Sequence, residues 1–225
     1  MDREKAICLV SGGLDSCVTA AIAAARHERL AFLHVNYGQR TERRELSAFR
    51  EIAAHYGVRE TLILEMPHIR CIGGSALTDP DIPVPENALG EEGIPVTYVP
   101  FRNAHLLAAA VSWAEVIGAG VIYIGATEVD SSGYPDCRAE FFRAFERAAE
   151  AGTRPETRVR VAAPVLHMGK ADVVRRGVEL GAPLHLTWSC YQGESEACGA
   201  CDSCLLRLKG FREAGVPDPI PYREG

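Results

Sequence analysis

The chain has 225 residues, of which 47% are apolar and 24% charged, and its net charge is −6. This is the ordinary globular balance, at a length suited to one large domain or one domain with a small appendage. An acidic chain is a poor candidate for broad DNA or RNA binding, which draws on a basic surface; a small-molecule substrate fits better, and no direct nucleic-acid binding is expected. The start, Met1–Ala6, is charged and lacks the apolar stretch of a signal peptide, and runs such as Leu106–Val111 fall far short of a membrane span. A soluble, cytoplasmic protein without membrane contact is expected.

In chain order, Ala6–Val10 is a short apolar run leading into two glycines and reads as a buried strand. Asp15–Arg26, rich in alanine and apolar throughout, reads as a buried helix, and Leu30–Val35 as a second strand. Thr41–Tyr56 is amphipathic, with Leu46, Phe49, Ile52 and Ala53 on one face and Gly57 ending it. Thr61–Leu64 is a third strand. Strand and helix alternating at this spacing give right-handed crossovers and a parallel sheet. Pro67–Pro100, with prolines at 67, 80, 83, 85, 95 and 100, is long for a plain connection and reads as a lid or binding loop. Further helices are expected at Asn103–Ile117, Arg138–Ala151 (with Phe141, Phe142 and Phe145 on one side), Lys170–Leu180 and Cys204–Ala214, and a strand at Val121–Gly125.

The first strand runs straight into Ser11-Gly12-Gly13-Leu14-Asp15-Ser16. Glycines let the backbone turn tightly and approach an anion, and the helix that follows offers unpaired N–H groups and a positive dipole end. Ser11 and Ser16 add hydroxyls. The string is neither the G-x-x-x-x-G-K-[ST] of a P-loop nor the G-x-G-x-x-G of a dinucleotide fold. Asp15 is the odd residue at an anion site; it makes sense as a magnesium ligand or as a backbone tie.

Eight cysteines stand at 8, 17, 71, 137, 190, 198, 201 and 204. The last four are spaced C-x7-C-x2-C-x2-C, a pattern that can close a tetrahedral zinc site or hold an iron–sulfur cluster. In a reducing compartment it means metal more often than disulfides. Cys204 is read as opening the last helix. Cys8 and Cys17 read as small core residues, and Cys71 has no assignment.

The S-G-G-x-D-S string after an N-terminal strand resembles the PP-loop of the ATP pyrophosphatase superfamily. Together with the four cysteines it resembles the 7-cyano-7-deazaguanine synthase family of queuosine precursor biosynthesis. The strings Tyr37-Gly38-Gln39-Arg40, Val99-Pro100-Phe101-Arg102-Asn103, Ser132–Arg138, Lys170-Ala171-Asp172, Thr187–Tyr191 and Cys204–Gly210 follow in order, so the resemblance covers nearly the whole chain. Two positions depart from it. Glycine is common where Phe101 stands, and asparagine is usual in the string Gly125-Ala126-Thr127-Glu128.

The resemblance implies an α/β, Rossmann-like three-layer fold of the adenine nucleotide alpha hydrolase-like type. Residues 1–186 would form the PP-loop domain and 187–225 a zinc-binding segment packed on it. It implies a C–N bond-forming ligase that joins 7-carboxy-7-deazaguanine and ammonia, consuming two ATP with Mg2+. Val10, Ser11, Gly12, Gly13, Leu14, Asp15, Ser16 and Cys17 would line the triphosphate, and the strand Phe32–Val35 would face adenine. Cys190, Cys198, Cys201 and Cys204 would hold one Zn2+.

Arg102, Asn103 and Lys170 are candidates for substrate or phosphate contacts, against surface charge or, for Asn103, an N-cap. Tyr134 and Asp136 lie on a turn beyond a strand end, where parallel sheets bind ligands; Asp136 would meet a guanine-like N–H edge or make a structural turn. His34, His105, His167 and His185 read as packing or surface residues. A homodimer is compatible with all of this. The rivals are a tRNA-thiolating or lysidine-type enzyme, which needs a basic face or catalytic cysteine pair; an amidating synthetase, which needs a glutaminase domain; a member whose deazaguanine product is attached to a macromolecule; and a zinc-ribbon module with a vestigial loop.

Overall fold

The computed structural model describes residues 2–87, 93–129 and 133–223. Ser132 of the Ser132–Arg138 string and residues 88–92 of the Pro67–Pro100 segment lie outside them. Among the described residues, the strands are β1 (Asp2–Leu9), β2 (His27–Asn36), β3 (Thr61–Glu65), β4 (Val121–Ile124) and β5 (Arg160–Ala162). They form one parallel sheet in the order β3-β2-β1-β4-β5. Register sets Ile7 beside Ala31 on one flank and beside Ile122 on the other.

Because strand side chains alternate, the central strands feed two apolar layers. Ile7, Leu9, Leu33, Ile122 and Ile124 face the helices α4 (Arg102–Ile117) and α5 (Ala139–Gly152), packing with Leu107, Ala110 and Phe142. Ala6, Cys8, Val10, Phe32 and Tyr123 face α1 (Leu14–Ala24) and α2 (Glu42–His55), packing with Ala20, Phe49 and Ile52. The expected three-layer α/β fold is therefore present. Each large side chain buried this way contributes roughly 1.5–3 kcal/mol.

The lack of a polar stripe on α1 has a direct cause. Its far side is covered by α6 (Lys170–Glu179) and α7 (Asp202–Ala214), through Leu14, Val18 and Ile22 against Val173, Val174 and Phe211. Phe142 is buried in α5, and Phe141 and Phe145 pack beside it, as the sequence pattern requires.

Several boundaries differ from expectation. The Pro67–Pro100 segment opens with a helix, α3 (Pro67–Ile72), which carries the exposed Cys71. β5, three half-buried or exposed residues, has too little apolar pattern to stand out. The last helix begins at Asp202, with Cys201 at its N-cap, so Cys204 lies inside the first turn rather than at the start. Asn103 is the second residue of α4, not its cap; Phe101 is the cap. No described helix is long and apolar enough to cross a membrane.

Candidate active site and metal centre

Beyond the carboxyl ends of β1, β2 and β4 lies a cavity of about 260 Å³. This is where strand order reverses and where open parallel sheets bind ligands. Its wall includes Val10, Ser11, Gly13, Leu14, Asp15 and Ser16 from the glycine-rich loop, and Arg102, Asn103, Tyr134 and Lys170 from distant segments. Gly12, Cys17 and Asp136 do not reach the cavity. Burial pushes the thiols of Cys8 and Cys17 up, Cys17 to about 12, and both lie in the core between sheet and helices.

The loop is shaped by steric necessity. Gly12 has φ +91, and a Cβ there would come within 2.6 Å of the Glu45 carbonyl oxygen. A Cβ on Gly125, at the end of β4, would come within 2.7 Å of the Ser16 backbone nitrogen. The two glycines let α2 and β4 close on the loop from opposite sides. Ser16 donates its hydroxyl proton to the Gly13 carbonyl at 2.9 Å, and Ser11 Oγ accepts from the Gly13 N–H at 3.2 Å. A hydroxyl has one proton, so Ser11 is the donor in the 3.1 Å Ser11–Ser16 contact.

Asp15 is not an isolated carboxylate. Lys170 Nζ lies 2.8 Å from both its oxygens, with the side chains 25% and 13% exposed respectively. The awkward negative charge of the loop is thus balanced by a residue 155 positions away. Arg102 donates to the Tyr37 hydroxyl at 3.0 Å, and its guanidinium lies over the Tyr37 ring. Asp136 Oδ2 accepts the Asn103 N–H at 2.9 Å, and Asn103 Nδ2 donates to the Asp136 carbonyl. Buried Asp136 thereby satisfies an otherwise orphaned donor in the first turn of α4 and fixes Arg102 beside it. Arg138 points outward, towards Glu140.

Other cavity residues carried no role in the sequence. Glu45, on α2, accepts from Thr41 Oγ1 at 2.9 Å and Gln39 Nε2 at 3.2 Å. Desolvation pushes its carboxyl up to about 7, against those two hydrogen bonds and the charge of Arg102. Arg207, 1% exposed, pairs both its Nε and Nη2 with Asp218 and donates to Thr187 and Ser189. Gln39, Arg40 and Arg207 stood in recognisable strings; nothing local marked Glu45 as a cavity residue.

Thr127, one of the two departing positions, is buried in the cavity wall. Phe101, the other, is 58% exposed with φ 57, the left-handed region that suits glycine. His34 is buried against Phe49 and bonds to the Val10 carbonyl, a packing role, and burial lowers its pKa. His105 meets His68 at 3.4 Å on the surface, and His167 lies 3.5 Å from Glu128.

Trp188 joins the loop to the cysteines. Its backbone N–H donates to the Gly12 carbonyl at 2.9 Å and its indole N–H to the Gly193 carbonyl at 2.8 Å. The sulfurs of Cys190, Cys198, Cys201 and Cys204 all lie within 4.8 Å of one another. A tetrahedral ion with metal–sulfur bonds near ~2.3 Å spaces its sulfurs about 3.8 Å apart, so the four residues form a group able to hold a metal ion. Cys190 Sγ accepts N–H bonds from Gln192, Gly193 and Cys198, and Cys198 Sγ accepts one from Cys201. Hydrogen bonds from the Cys201 and Cys204 thiols and from the backbone hold the Cys190 pKa far below the ordinary thiol value. The Glu86–Cys201 bridge and the Ala197–Tyr222 bridge tie this segment to the rest.

Among solved structures, a 4-thiouridine synthetase–RNA complex with bound ATP is 15% identical, with a TM-score of 0.48 over 97% of this chain and 47% of that one. That likeness carries no functional weight. Curated relatives are far more similar. A 7-cyano-7-deazaguanine synthase of Acidobacterium capsulatum is 58% identical over 225 residues, covering 98% of this chain and 97% of the relative. One of Chlorobaculum tepidum is 54% identical over 218 residues, covering 97% and 96%. Residues 5–215 match the family described as queuosine biosynthesis protein QueC, and the chain belongs to that family.

Proposed function

We propose that this protein is an ATP-dependent ligase that converts 7-carboxy-7-deazaguanine and ammonia to 7-cyano-7-deazaguanine in queuosine biosynthesis. The observation that carries the reading is the convergence of the glycine-rich loop, Lys170, Arg102 and Glu45 on one cavity, in a chain that is 58% identical to a protein of that name.

A carboxylate is a poor electrophile because its leaving group would be oxide. Adenylation turns that oxygen into AMP. Ammonia then displaces AMP and leaves an amide. A second adenylation, on the amide oxygen, lets it depart as AMP with formation of the nitrile. One loop serves both rounds.

Val10, Ser11, Gly13, Leu14, Asp15 and Ser16 supply the phosphate site, with the N–H groups at the start of α1 aimed at anionic oxygens. Lys170 and Arg102 offset negative charge that develops as pyrophosphate leaves. Asp15 orders the loop through Lys170 and offers oxygens to the Mg2+ that accompanies ATP. Tyr134 stands in the cavity wall for substrate contact, while Asn103 and Asp136 set the start of α4. The backbone of Phe32–Val35 serves adenine.

Zinc is proposed for the four cysteines. Sulfurs within 4.8 Å of one another suit a single ion, whereas a cubane cluster binds each thiolate through a different iron and spreads them farther. With four protein ligands the ion has no open position and its role is structural. Residues 187–225 would be the segment folded around it, on the 1–186 domain. A cytoplasmic location follows from the reducing conditions that free thiolates need.

Incubation with the carboxylate, ammonium and ATP should give the nitrile, AMP and pyrophosphate, read by mass spectrometry. Absence of AMP from that mixture overturns the reading.

A further inference from the structure

Ammonia enters this chemistry with a difficulty that the phosphate site does not address. An aliphatic amine holds its proton well above neutral pH, with pKa values of roughly 8 to 10 for amino groups in proteins, and ammonium behaves alike. Ammonium has no lone pair to attack with. Three further protons must leave the nitrogen before a nitrile exists. A base facing the cavity is therefore needed in both rounds.

Of the carboxylates in the cavity wall, Asp15 is held by Lys170 on both oxygens. The other is Glu45. It lies on the first turns of α2, beneath the glycine-rich loop, in electrostatic reach of Arg102. Its partners suit two protonation states. Thr41 Oγ1 lies 2.9 Å from Glu45 Oε1 and 3.3 Å from the Cys190 carbonyl, and has one proton for two acceptors. With Glu45 ionised, Thr41 donates to it. With Glu45 protonated, Thr41 accepts from Glu45 and turns its own proton to the Cys190 carbonyl. Glu45 and Thr41 stay hydrogen-bonded to each other in both states, and only the Thr41–Cys190 bond is exchanged. Gln39 Nε2 holds the second oxygen at 3.2 Å.

We propose that Glu45 is the base for both nitrogen steps, an assignment that rests on the nitrile-forming reading above. In the first round ammonium gives a proton to the Glu45 carboxylate. The freed lone pair forms the C–N bond to the acyl adenylate, AMP leaves with the C–O electron pair, and a second N–H proton is released, giving the amide. In the second round the amide oxygen bonds to the α-phosphorus of ATP and pyrophosphate leaves. The two remaining N–H protons pass in turn to Glu45 and on to solvent. Their electrons complete the C–N triple bond while the C–O bond to AMP breaks.

Burial has already pushed Glu45 up to about 7, the range in which a base both binds and yields a proton at neutral pH. Arg102 favours the carboxylate and Glu42 opposes it; Tyr37 interacts with it, and Asp15, Lys170, Arg40 and Arg207 stand in the same wall.

The test separates activation from nitrogen transfer in Glu45→Gln. Carboxylate-dependent pyrophosphate release, measured without ammonium, should stay within a few-fold of wild type. Amide formation from ammonium should fall by about 10²–10⁴-fold, the usual contribution of a general base. Hydroxylamine, largely the free base at neutral pH, should restore product formation with no such deficit. In wild type the acid limb of the ammonium-dependent rate should have its midpoint near 7. Thr41→Val removes a donor that favours the carboxylate and should move that midpoint upward.

Equal loss of pyrophosphate release and amide formation in Glu45→Gln overturns the assignment, as does retention of both. So does a loss that hydroxylamine fails to repair. A wild-type protein that releases no pyrophosphate with the carboxylate sinks the nitrile-forming reading itself, which is a separate outcome.

Discussion

The cysteine cluster and the cavity meet at Trp188, yet they are assembled in opposite ways. The cluster takes its four sulfurs from Cys190–Cys204, and nearly all the N–H groups that point at them come from the same stretch. The cavity gathers Leu9, Glu45, Arg102, Lys170 and Arg207 from across the chain, and its charges balance over 155 residues between Asp15 and Lys170. A closed local site with every donor turned inward has nothing left to offer a substrate. An open site built from distant elements depends on the fold to set its geometry. Damage to the first should therefore register as lost stability, and damage to the second as lost activity in a protein that still folds.

The largest effect is expected from Cys198→Ala. Structural zinc sites carry apparent binding energies of about 10–16 kcal/mol at neutral pH. Opening the site should lower bound metal well below one equivalent and the unfolding midpoint by about 10 °C or more. Normal metal stoichiometry in that variant would refute the ligand set.

Lys170→Met probes the cavity side. Breaking a buried ion pair costs about 3–5 kcal/mol; with both side chains partly solvated, roughly 1–2 kcal/mol is expected, a loss of about 2–8 °C. Pyrophosphate release should fall at least ~10²-fold. Adding Asp15→Asn should recover most of the stability, because the unpaired carboxylate is gone, but not the activity. Stability and activity returning together would erase the contrast between the regions.

Glu45→Gln sharpens it with pH. A carboxyl raised from 4.5 to about 7 by folding destabilises the ionised native state by roughly 3 kcal/mol. That cost is full above pH 7, shrinks as pH falls from 7 to 4.5, and is absent below 4.5. Glu45→Gln should thus melt several degrees above wild type at pH 8 and level with it near pH 4.5. A pH-independent difference would contradict the raised pKa.

The smallest effect is expected from Phe101→Gly. Its left-handed φ of 57 costs about 1 kcal/mol, partly offset by edge contacts with Phe141. The midpoint should rise by about 1–3 °C with unchanged turnover.

Much of the fold could be read from the sequence because the central strands are apolar on both faces and α1 lacks a polar side. β5 could not, since it is short and only partly buried. The cysteine cluster was legible for the same reason that it is local. In the cavity, the glycine-rich loop could be read from its string, but the partner of Asp15 could not. A lysine opening a helix carries no mark of the carboxylate it will meet 155 residues back. Asn103 looked like a cap because it precedes an alanine-rich helix, whereas Asp136, from another segment, satisfies that turn. Glu45 sits in an amphipathic helix full of charges, and only its place in the cavity wall sets it apart from Glu42 and Glu51.

The count of AMP per nitrile tests the central claim most directly. With 7-carboxy-7-deazaguanine, ammonium and excess ATP, two AMP and two pyrophosphate should form for each 7-cyano-7-deazaguanine, with no ADP. One AMP per product, or ADP and phosphate in place of AMP and pyrophosphate, would contradict an adenylating loop that acts twice.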